Sequence, residues 1–245
     1  MELIQLAKQM GLKGLSITDH DSIDAYEEAV PAAKAAGIRL GTGVEFSCEF
    51  QGISLHLLGY DFDLKNPQIQ ELCQRHKKRR EIRNLAILAK LDKAGMPIRY
   101  EELKGTTIGR PHIAQLMVEK GYVKNLREAF NQYLGEGKKC YDPGTPFTVE
   151  EAIEVIHAAG GKAFVAHPQL LPDAFPVEDL LKLSLDGLEC FYCRLFKKSW
   201  ADYAEAKGWI KSGGSDFHGS AKPENELGCS GVDEETFNKI FKHDL

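Results

Sequence analysis

Six side chains of the types that ligate metal ions stand at or near the ends of apolar runs in this sequence. They are His20, Glu45, His56, His167, Asp216 and His218. Imidazole and carboxylate groups hold Zn, Mn and Fe(II) in proteins. An α/β barrel brings such groups together because one or two of them lie at the end of each successive strand. The pattern therefore predicts a metal site.

Each of these residues also has an ordinary structural explanation. A single histidine in an apolar run, such as His56 or His167, is more often a hydrogen-bonded residue of the core. Glu45 follows an apolar strand and would be a costly buried charge without cationic partners. Asp216 and His218 would face the same side of an extended segment, because they are two positions apart. The joint occurrence of all six favours the metal site.

The regular elements predicted around these residues alternate between strand and helix. Apolar periodicity and end signals predict helices near residues 2–10, 22–37, 149–159 and 198–207. Strands are predicted near residues 14–18, 38–46, 53–57, 162–166, 185–192 and 209–213. Thr148 with Glu151 predicts a capping box at the start of the third helix. Repeated strand-helix units indicate an α/β fold with a parallel sheet.

Residues 65–147 break this alternation. Apolar spacing and glycine stops predict a long helix over residues 67–94 and shorter helices near residues 111–120 and 126–134. The sequence therefore predicts a barrel formed by residues 1–64 and 148–245, with an all-helical insertion at residues 65–147. Material inserted at the ligand-bearing rim usually shapes access to a site, so we expect this insertion to act as a lid over the metals.

Composition limits the classes of protein. The formal net charge of −5 argues against general nucleic-acid binding, although a local basic face remains compatible with it. The six cysteines are scattered, and the sequence has neither a long apolar span nor an apolar leader. We therefore expect a cytoplasmic protein without a membrane partner, with Cys190 and Cys193 as structural thiols. Nothing in the sequence indicates an obligate protein partner.

Four short segments of the sequence resemble motifs of the PHP (polymerase and histidinol phosphatase) domain family. They are Thr-Asp-His-Asp at residues 18–21, Gly-Val-Glu at 43–45, Ala-His-Pro at 166–168 and Ser-Asp-Phe-His-Gly at 215–219. The resemblance extends over essentially the whole chain, including Gly-Arg-Pro-His at residues 109–112, and is strongest to the stand-alone metal-dependent phosphoesterases. It implies a distorted, seven-stranded, TIM-like β/α barrel. It also implies up to three divalent ions (Mn, Fe or Zn) at the carboxyl rim.

The resemblance also implies roles for the six residues. Glu45 is similar to the carboxylate that bridges two metals, with His56 and His167 as ligands beside it. His20 and His218 are similar to ligands of the third metal, and Asp216 to a ligand of the first. The neighbouring Asp19 matches the motif as a structural residue.

Two residues of the helical insertion are expected to bind substrate. Arg110 has a guanidinium group suited to bidentate contact with phosphate, and His112 lies in the first turn of a helix opened by Pro111. The alternative is a surface loop with a solvated arginine. The family resemblance includes this tetrapeptide and favours the phosphate clamp.

One family motif has no counterpart in this sequence. An Asp-x-His-x-His strand followed by Ser-Asp-Gly normally precedes the segment that matches residues 1–11, so the barrel is expected to lack its first strand. We expect an in-frame upstream sequence to encode that motif. The missing motif would supply two ligands of the first metal and an acidic ligand. The alternative is therefore a truncated form of the protein that lacks these ligands.

The predicted activity is that of a metal-dependent phosphoesterase. Clustered divalent ions activate water for attack on phosphorus, so no protein nucleophile is required. The resemblance points to nucleoside 3',5'-bisphosphates and the 5' ends of short RNA as substrates, and the basic run at residues 75–80 is either a solvated helix face or a steering surface for them. The alternatives are a histidinol-phosphate-type phosphatase and a non-catalytic remnant that binds metal or nucleotide.

Overall fold

The computed structural model describes residues 2–105, 107–193, 195–219, 222–242 and 245. The strands are β1 Gly14–Ser16, β2 Arg39–Gly41, β3 Gly43–Phe50, β4 Ile53–Tyr60, β5 Lys162–Val165, β6 Gly187–Tyr192 and β7 Ile210–Gly214. The helices are α1 Glu2–Gln9, α2 Tyr26–Ala36, α3 Pro67–Lys93, α4 Arg110–Glu119, α5 Leu126–Ala129, α6 Val149–Ala158, α7 Val177–Leu180, α8 Lys198–Lys207 and α9 Glu234–Ile240. Short 3₁₀ turns at Tyr100–Glu102 and Pro168–Leu170 and a π turn at Phe130–Leu134 complete the regular elements.

These strands form two sheets. Strands β1 and β2 pair in parallel, and the order of the larger sheet is β3-β4-β5-β6-β7. The pairs β5–β6 and β6–β7 are parallel, whereas β3–β4 and β4–β5 are antiparallel. The prediction of a parallel sheet is therefore wrong for β3 to β5. The α/β class is confirmed, while closure into a seven-stranded barrel and the absence of a first strand remain predictions.

The antiparallel pair arises from a two-residue hairpin. Phe50 pairs with Ile53, and the intervening Gln51 and Gly52 both have positive φ, 50° and 81°. Two central residues with positive φ match the twist of adjacent antiparallel strands. No helix fits between β3 and β4, so the strand-helix alternation does not apply here.

The apolar run at residues 38–46 forms two strands rather than one. Thr42 separates β2 from β3, and its hydroxyl group donates to the carbonyl oxygen of Phe62 at 2.9 Å. The second predicted helix also begins later than expected, at Tyr26, whose hydroxyl group donates to the carbonyl oxygens of Ile17 and Gly41. These side-chain contacts replace the expected continuous elements.

The chain divides into two compact units. Unit 1 comprises Met1–Cys73 and Phe147–Leu245 and contains both sheets, and unit 2 comprises Gln74–Pro146. In unit 1, α6 packs against β3, β4 and β5 through side chains such as Ile156, which is fully buried. The Thr148 side chain accepts the N–H of Glu151 at 3.2 Å and caps α6 as the sequence predicts.

Unit 2 is helical in its described part. Its buried core joins α3 to the helices that follow it through Ile87, Leu91, Ile113 and Met117. Among the described residues of both units, every helix is too short or too polar to cross a bilayer. The role of residues 65–147 as a lid remains a prediction.

One cysteine prediction is wrong. Cys193 and Cys229 form a disulfide with their Cα atoms 5.7 Å apart, whereas Cys190 is a buried free thiol. The turn after β6 brings Cys193 to a residue 36 positions away, which spacing in the sequence does not reveal. The prediction of a structural thiol is therefore wrong for Cys193 and agrees with the structure for Cys190, and the cytoplasmic location stays a prediction.

Candidate metal centre

A buried carboxylate stands at the centre of the candidate site. Glu45 is the third residue of β3 and is only 5% exposed. Its Oε1 lies 2.8 Å from Nδ1 of His56 and 3.0 Å from Nε2 of His167, and its Oε2 lies 3.4 Å from Nδ1 of His20. Burying an unpaired carboxylate is costly, so the three imidazoles around it are what make this position tolerable.

Three separate segments bring these imidazoles together. His20 follows β1 and forms an isolated parallel bridge with Glu45. His56 lies on β4 diagonally across from Glu45, since Glu45 itself pairs with Leu58. His167 follows β5, and its Nε2 is 3.2 Å from Nδ1 of His56. The pairing of β3 with β4 and the segments that follow β1 and β5 therefore set the spacing of the potential ligand atoms.

Asp216 and His218 extend this group from the end of β7. The ring centroids of His218 and His20 are 6.0 Å apart, and Nδ1 of His218 lies 3.2 Å from Oδ1 of Asp216. All six residues singled out in the sequence thus lie in one connected cluster. The tightest group is His20, Glu45 and His56, which offer ligand atoms within 4.8 Å of one another.

The donor set fits a divalent transition metal. Imidazole nitrogens and a carboxylate oxygen are ligands of Zn, Mn and Fe(II). His20, Glu45 and His56 would hold an ion, and His167 lies beside His56 at the same oxygen, Oε1, of Glu45. Asp216 and His218 offer an oxygen and a nitrogen beside them.

The electrostatics of the cluster keep Glu45 ionised. Burial by itself raises the pKa of Glu45, but the adjacent His20, His56 and His167 hold that pKa well below its usual range. Burial lowers the pKa of His167, whereas its contact with Glu45 and the nearby Glu189 raise it, with a net upward shift. A carboxylate that stays charged is available as a ligand.

Three non-glycine residues at the site have backbone conformations that are rare for residues with a side chain. Asp21, His167 and Asp216 have positive φ values of 57°, 27° and 49°. Such conformations in non-glycine residues cost about 1–3 kcal/mol each and concentrate at functional sites. The buried Asp21 carboxylate accepts the N–H of Ser47 at 2.7 Å, and the Asp21 N–H donates to the carbonyl oxygen of Glu45, which ties the turn after His20 to β3.

The PHP domain family matches residues 1–154, which is more than half of the chain. The chain belongs to the PHP family. This confirms the resemblance drawn from the sequence motifs.

Relatives of this PHP chain include two enzymes. A 5'-3' exoribonuclease from Haemophilus influenzae is 37% identical over 231 residues, which cover 89% of this chain and 83% of the relative. A 3',5'-nucleoside bisphosphate phosphatase from Chromobacterium violaceum is 28% identical over 240 residues, which cover 93% of this chain and 84% of the relative.

Solved structures agree in fold. A candidate metal-dependent phosphoesterase from Bifidobacterium adolescentis has a TM-score of 0.88 and 30% identity, with coverage of 98% of this chain and 88% of that one. An amidohydrolase from Chromobacterium violaceum with bound sulfate has a TM-score of 0.86 and 26% identity, with coverage of 99% and 90%.

The PHP site contains a buried acid that sequence reasoning missed. Glu189 on β6 is 5% exposed, and its Oε2 accepts the backbone N–H of His167 at 2.7 Å. Burial, with the nearby Glu45 and Asp216 charges, raises the pKa of Glu189 to about 7. A glutamate inside the apolar run of residues 185–191 was the available signal, the same signal that singled out Glu45.

A second missed group surrounds Asp216. Tyr192 donates its hydroxyl hydrogen to Oδ2 of Asp216 at 2.9 Å, and Lys222 lies 2.7 Å from the same oxygen. Asn225 donates to the Tyr192 hydroxyl oxygen at 3.2 Å. Burial raises the pKa of Tyr192 to about 12, so its hydroxyl group remains a donor at neutral pH.

A bulge in β6 directs Glu189 and Tyr192 into the site. Glu189 pairs with Ser212 and Phe191 with Gly213, so the register shifts at the residue between them, Cys190. The extra residue places Glu189 and Tyr192 on the same side although they are three positions apart. A Cβ atom on Gly214 would lie 2.8 Å from Oε1 of Glu189, so any larger residue here would displace the Glu189 carboxylate.

Arg110 and His112 lie at the start of α4 in unit 2. Nη1 of Arg110 donates to the carbonyl oxygen of Leu134 at 3.3 Å, and its guanidinium group lies 5.3 Å from the centre of the Tyr141 ring. Nδ1 of His112 accepts the N–H of Gly109 at 3.2 Å. Burial lowers the pKa of His112, so a neutral ring with its proton on Nε2 is the form that fits this contact.

Proposed function

We propose that this chain hydrolyses phosphate esters of nucleotides, with nucleoside 3',5'-bisphosphates and the 5' ends of short RNA as its substrates. The observation that carries the proposal is the ionised, buried Glu45 within 3.4 Å of three imidazoles. Such a cluster suits divalent metals, because imidazole nitrogens and a charged carboxylate oxygen are the ligands that these ions take.

The relatives support both the class and the substrate. The enzyme class, a hydrolase of phosphoric esters, is confirmed by the named activities of the relatives. Those relatives act on RNA or on a nucleoside bisphosphate, and the Chromobacterium violaceum structure holds sulfate, which has the shape of phosphate. The substrates of these two relatives favour a phosphorylated nucleotide, and the sulfate is consistent with a phosphate group of any ester.

The residues of the chain have distinct parts in the proposed reaction. Divalent ions held by His20, Glu45, His56, His167, Asp216 and His218 would supply an acidified water and neutralise charge on the phosphoryl group. Glu189 fixes the backbone of His167. Tyr192 and Lys222 orient the carboxylate of Asp216. No side chain has to attack phosphorus.

A panel of substrates tests the proposal. Purified protein supplied with Mn²⁺, Zn²⁺ or Fe²⁺ is incubated with adenosine 3',5'-bisphosphate, 5'-phosphorylated RNA and histidinol phosphate, and released phosphate and nucleotides are quantified. We expect hydrolysis of the first two substrates. His167→Ala should reduce it at least a hundredfold. The matched control is His157→Ala, since His157 pairs with Asp186 on another part of unit 1.

The outcomes separate the alternatives. Turnover of histidinol phosphate alone would replace the proposed substrate with that of a histidinol-phosphate-type phosphatase. Metal or nucleotide binding without turnover of any substrate would indicate a non-catalytic protein. If His167→Ala hydrolyses the substrates as fast as His157→Ala does, the metal cluster is not needed for the reaction.

Arg110 and His112 are the proposed phosphate-binding residues of unit 2. Arg110→Ala should lower kcat/KM for adenosine 3',5'-bisphosphate about tenfold or more relative to a monophosphate, since a charge-assisted contact is worth about 1.5–3 kcal/mol. Metal content should not change. Arg127→Ala on α5 is the control. Equal losses on both substrates would show that Arg110 acts through folding of unit 2 rather than through substrate selection.

A further inference from the structure

The exposed phenylalanines are unevenly distributed. Among the described residues, three phenylalanines expose more than a third of their surface: Phe191 at 39%, Phe196 at 56% and Phe217 at 36%. All three lie in unit 1 at or just after the ends of β6 and β7, the strands that deliver Tyr192 and Asp216 to the candidate metal centre. The most exposed phenylalanine rings are thus found at the strand ends that carry residues of the polar cluster.

Two of these rings form an ordered pair. Phe191 and Phe196 are stacked, with centroids 6.2 Å apart and planes inclined by 7°. Stacked rings with this much exposure present a flat aromatic surface to solvent rather than a packed core.

Described residues next to the two rings are held by several contacts. The N–H of Leu195 donates to the carbonyl oxygen of Tyr192, and Cys193 is held by its disulfide to Cys229. The Ser230 hydroxyl group donates to the carbonyl oxygen of Phe191 at 2.7 Å. Residues that are held before a ligand arrives lower the entropic cost of binding it.

The pair is also adjacent in sequence to the cluster. Phe191 immediately precedes Tyr192, whose hydroxyl group contacts Asp216, and the bulge at Cys190 turns Tyr192 inward and leaves Phe191 outward. Phe217 stands between Asp216 and His218. Phe191 and Phe217 are thus direct sequence neighbours of Tyr192 and Asp216, at the strand ends that carry the cluster.

We propose that Phe191 and Phe196 form a stacking platform for the nucleobase of the substrate. This inference rests on the proposed function, because a phosphate held at the metal cluster belongs to a nucleotide whose base needs a partner. Aromatic side chains hold bases of any sequence, since every base has a π face. The platform would therefore favour nucleotides over sugar phosphates without selecting one base.

Isothermal titration calorimetry with two probes tests the platform. Adenosine 5'-monophosphate and ribose 5-phosphate carry the same phosphate and ribose, and only the first carries a base. Phe196→Ala in the full chain with Mn²⁺ should weaken binding of adenosine 5'-monophosphate about tenfold or more and leave ribose 5-phosphate within twofold. Phe196→Tyr should retain wild-type affinity because it keeps the ring.

A matched control removes exposed apolar surface elsewhere. Met10→Ala, at a residue 53% exposed after α1, should leave both affinities unchanged. A 5'-phosphorylated tetranucleotide is titrated in the same series. If the platform binds only the base of a free nucleotide, or only the terminal base of RNA, then Phe196→Ala weakens the binding of that ligand alone.

Three results would overturn the platform. They are unchanged affinity of Phe196→Ala for adenosine 5'-monophosphate, equal weakening for both probes, and a wild-type dimer that becomes monomeric in Phe196→Ala, which would make the surface a contact between copies. A failure of the proposed function would give a different result from a failure of the platform. A wild-type chain that hydrolyses no nucleotide yet shows base-dependent binding would retain the platform and lose the hydrolase.

Discussion

At the scale of single residues, the site depends on the charge state of one carboxylate. Glu45 is buried where a neutral acid would be less costly, yet three imidazoles hold its pKa well below the usual range. Without a metal, imidazole N–H groups can donate hydrogen bonds to this carboxylate. With a metal, the same atoms would exchange those protons for the ion, so metal affinity should fall at acidic pH.

Glu45→Gln tests this dependence. Glutamine has the same shape but lacks the charge, so we expect the affinity for Mn²⁺ to fall at least tenfold, as measured by titration and by metal content after dialysis. Glu49→Gln on the same strand is the control, because Glu49 lies outside the cluster. Unchanged Mn²⁺ affinity in Glu45→Gln would place the ion elsewhere.

The sequence revealed some of these residues and concealed others for a physical reason. Histidines and acids at the ends of apolar runs are visible because they interrupt a pattern. Tyr192 and Lys222 interrupt nothing, and their contact with Asp216 arises from a bulge and a loop. Their roles depend on register, which composition and spacing do not specify.

At the scale of elements, the sequence predicts helix ends more accurately than it predicts which strands pair. The capping signal at Thr148 is local in sequence, and the structure forms it. The division of residues 38–46 at Thr42 depends on a hydrogen bond to Phe62, twenty residues away. The antiparallel hairpin was signalled only by Gly52 after Gln51, a short cue beside the strong strand-helix alternation.

Thr148→Ala measures what the cap of α6 contributes. The substitution leaves the Glu151 N–H without its side-chain acceptor, and we expect the free energy of unfolding to fall by about 1 kcal/mol. Urea denaturation in the presence of a chelator gives this value. Ser199→Ala on α8 is a suitable control because Ser199 is exposed. A loss below about 0.3 kcal/mol would mean that water replaces the cap.

Within unit 2, an ion pair between Lys90 and Asp142 links α3 to the loop that follows the π turn. Nζ of Lys90 lies 2.9 Å from Asp142, and this contact lowers the pKa of that aspartate although partial burial opposes the shift. Because the folded pKa is depressed, the stabilisation is present above the unfolded value of about 4 and is lost as pH falls through the folded value.

Asp142→Asn should therefore have a pH-dependent effect. We expect the variant to be less stable than the wild type at pH 6, and the difference to diminish toward pH 3 as the wild-type carboxylate becomes protonated. Urea denaturation of both proteins across this range measures the difference. A constant difference between pH 6 and pH 3 would assign the effect to packing rather than to the ion pair.

At the scale of the whole molecule, the two units have separate tasks in the proposal. All six proposed metal ligands belong to unit 1, whereas Arg110 and His112 belong to unit 2. A metal that binds the folded form of unit 1 stabilises that unit by mass action, by about 2.7 kcal/mol at a hundredfold excess over Kd. The helical core of unit 2 contains none of these ligands.

Hydrogen exchange with and without Mn²⁺ tests this division. We expect increased protection in β3, β4 and the segment after β5, which carry Glu45, His56 and His167. Exchange in α4 and α5 should not change on metal addition alone. Uniform protection of both units would mean that the metal stabilises the chain as one cooperative body.

The bulge at Cys190 has a consequence for how this strand end tolerates mutation. It assigns the last two residues of β6 to opposite environments, Tyr192 to the polar cluster and Phe191 to the outer surface. If Cys190 instead paired regularly with Gly213, Phe191 would move opposite Gly214, and a phenyl ring rather than the phenol would face Asp216. Deleting Cys190 would remove the bulge and keep Phe191 opposite Gly213 and Tyr192 opposite Gly214, so related chains can lose this one residue without changing which side chain faces Asp216.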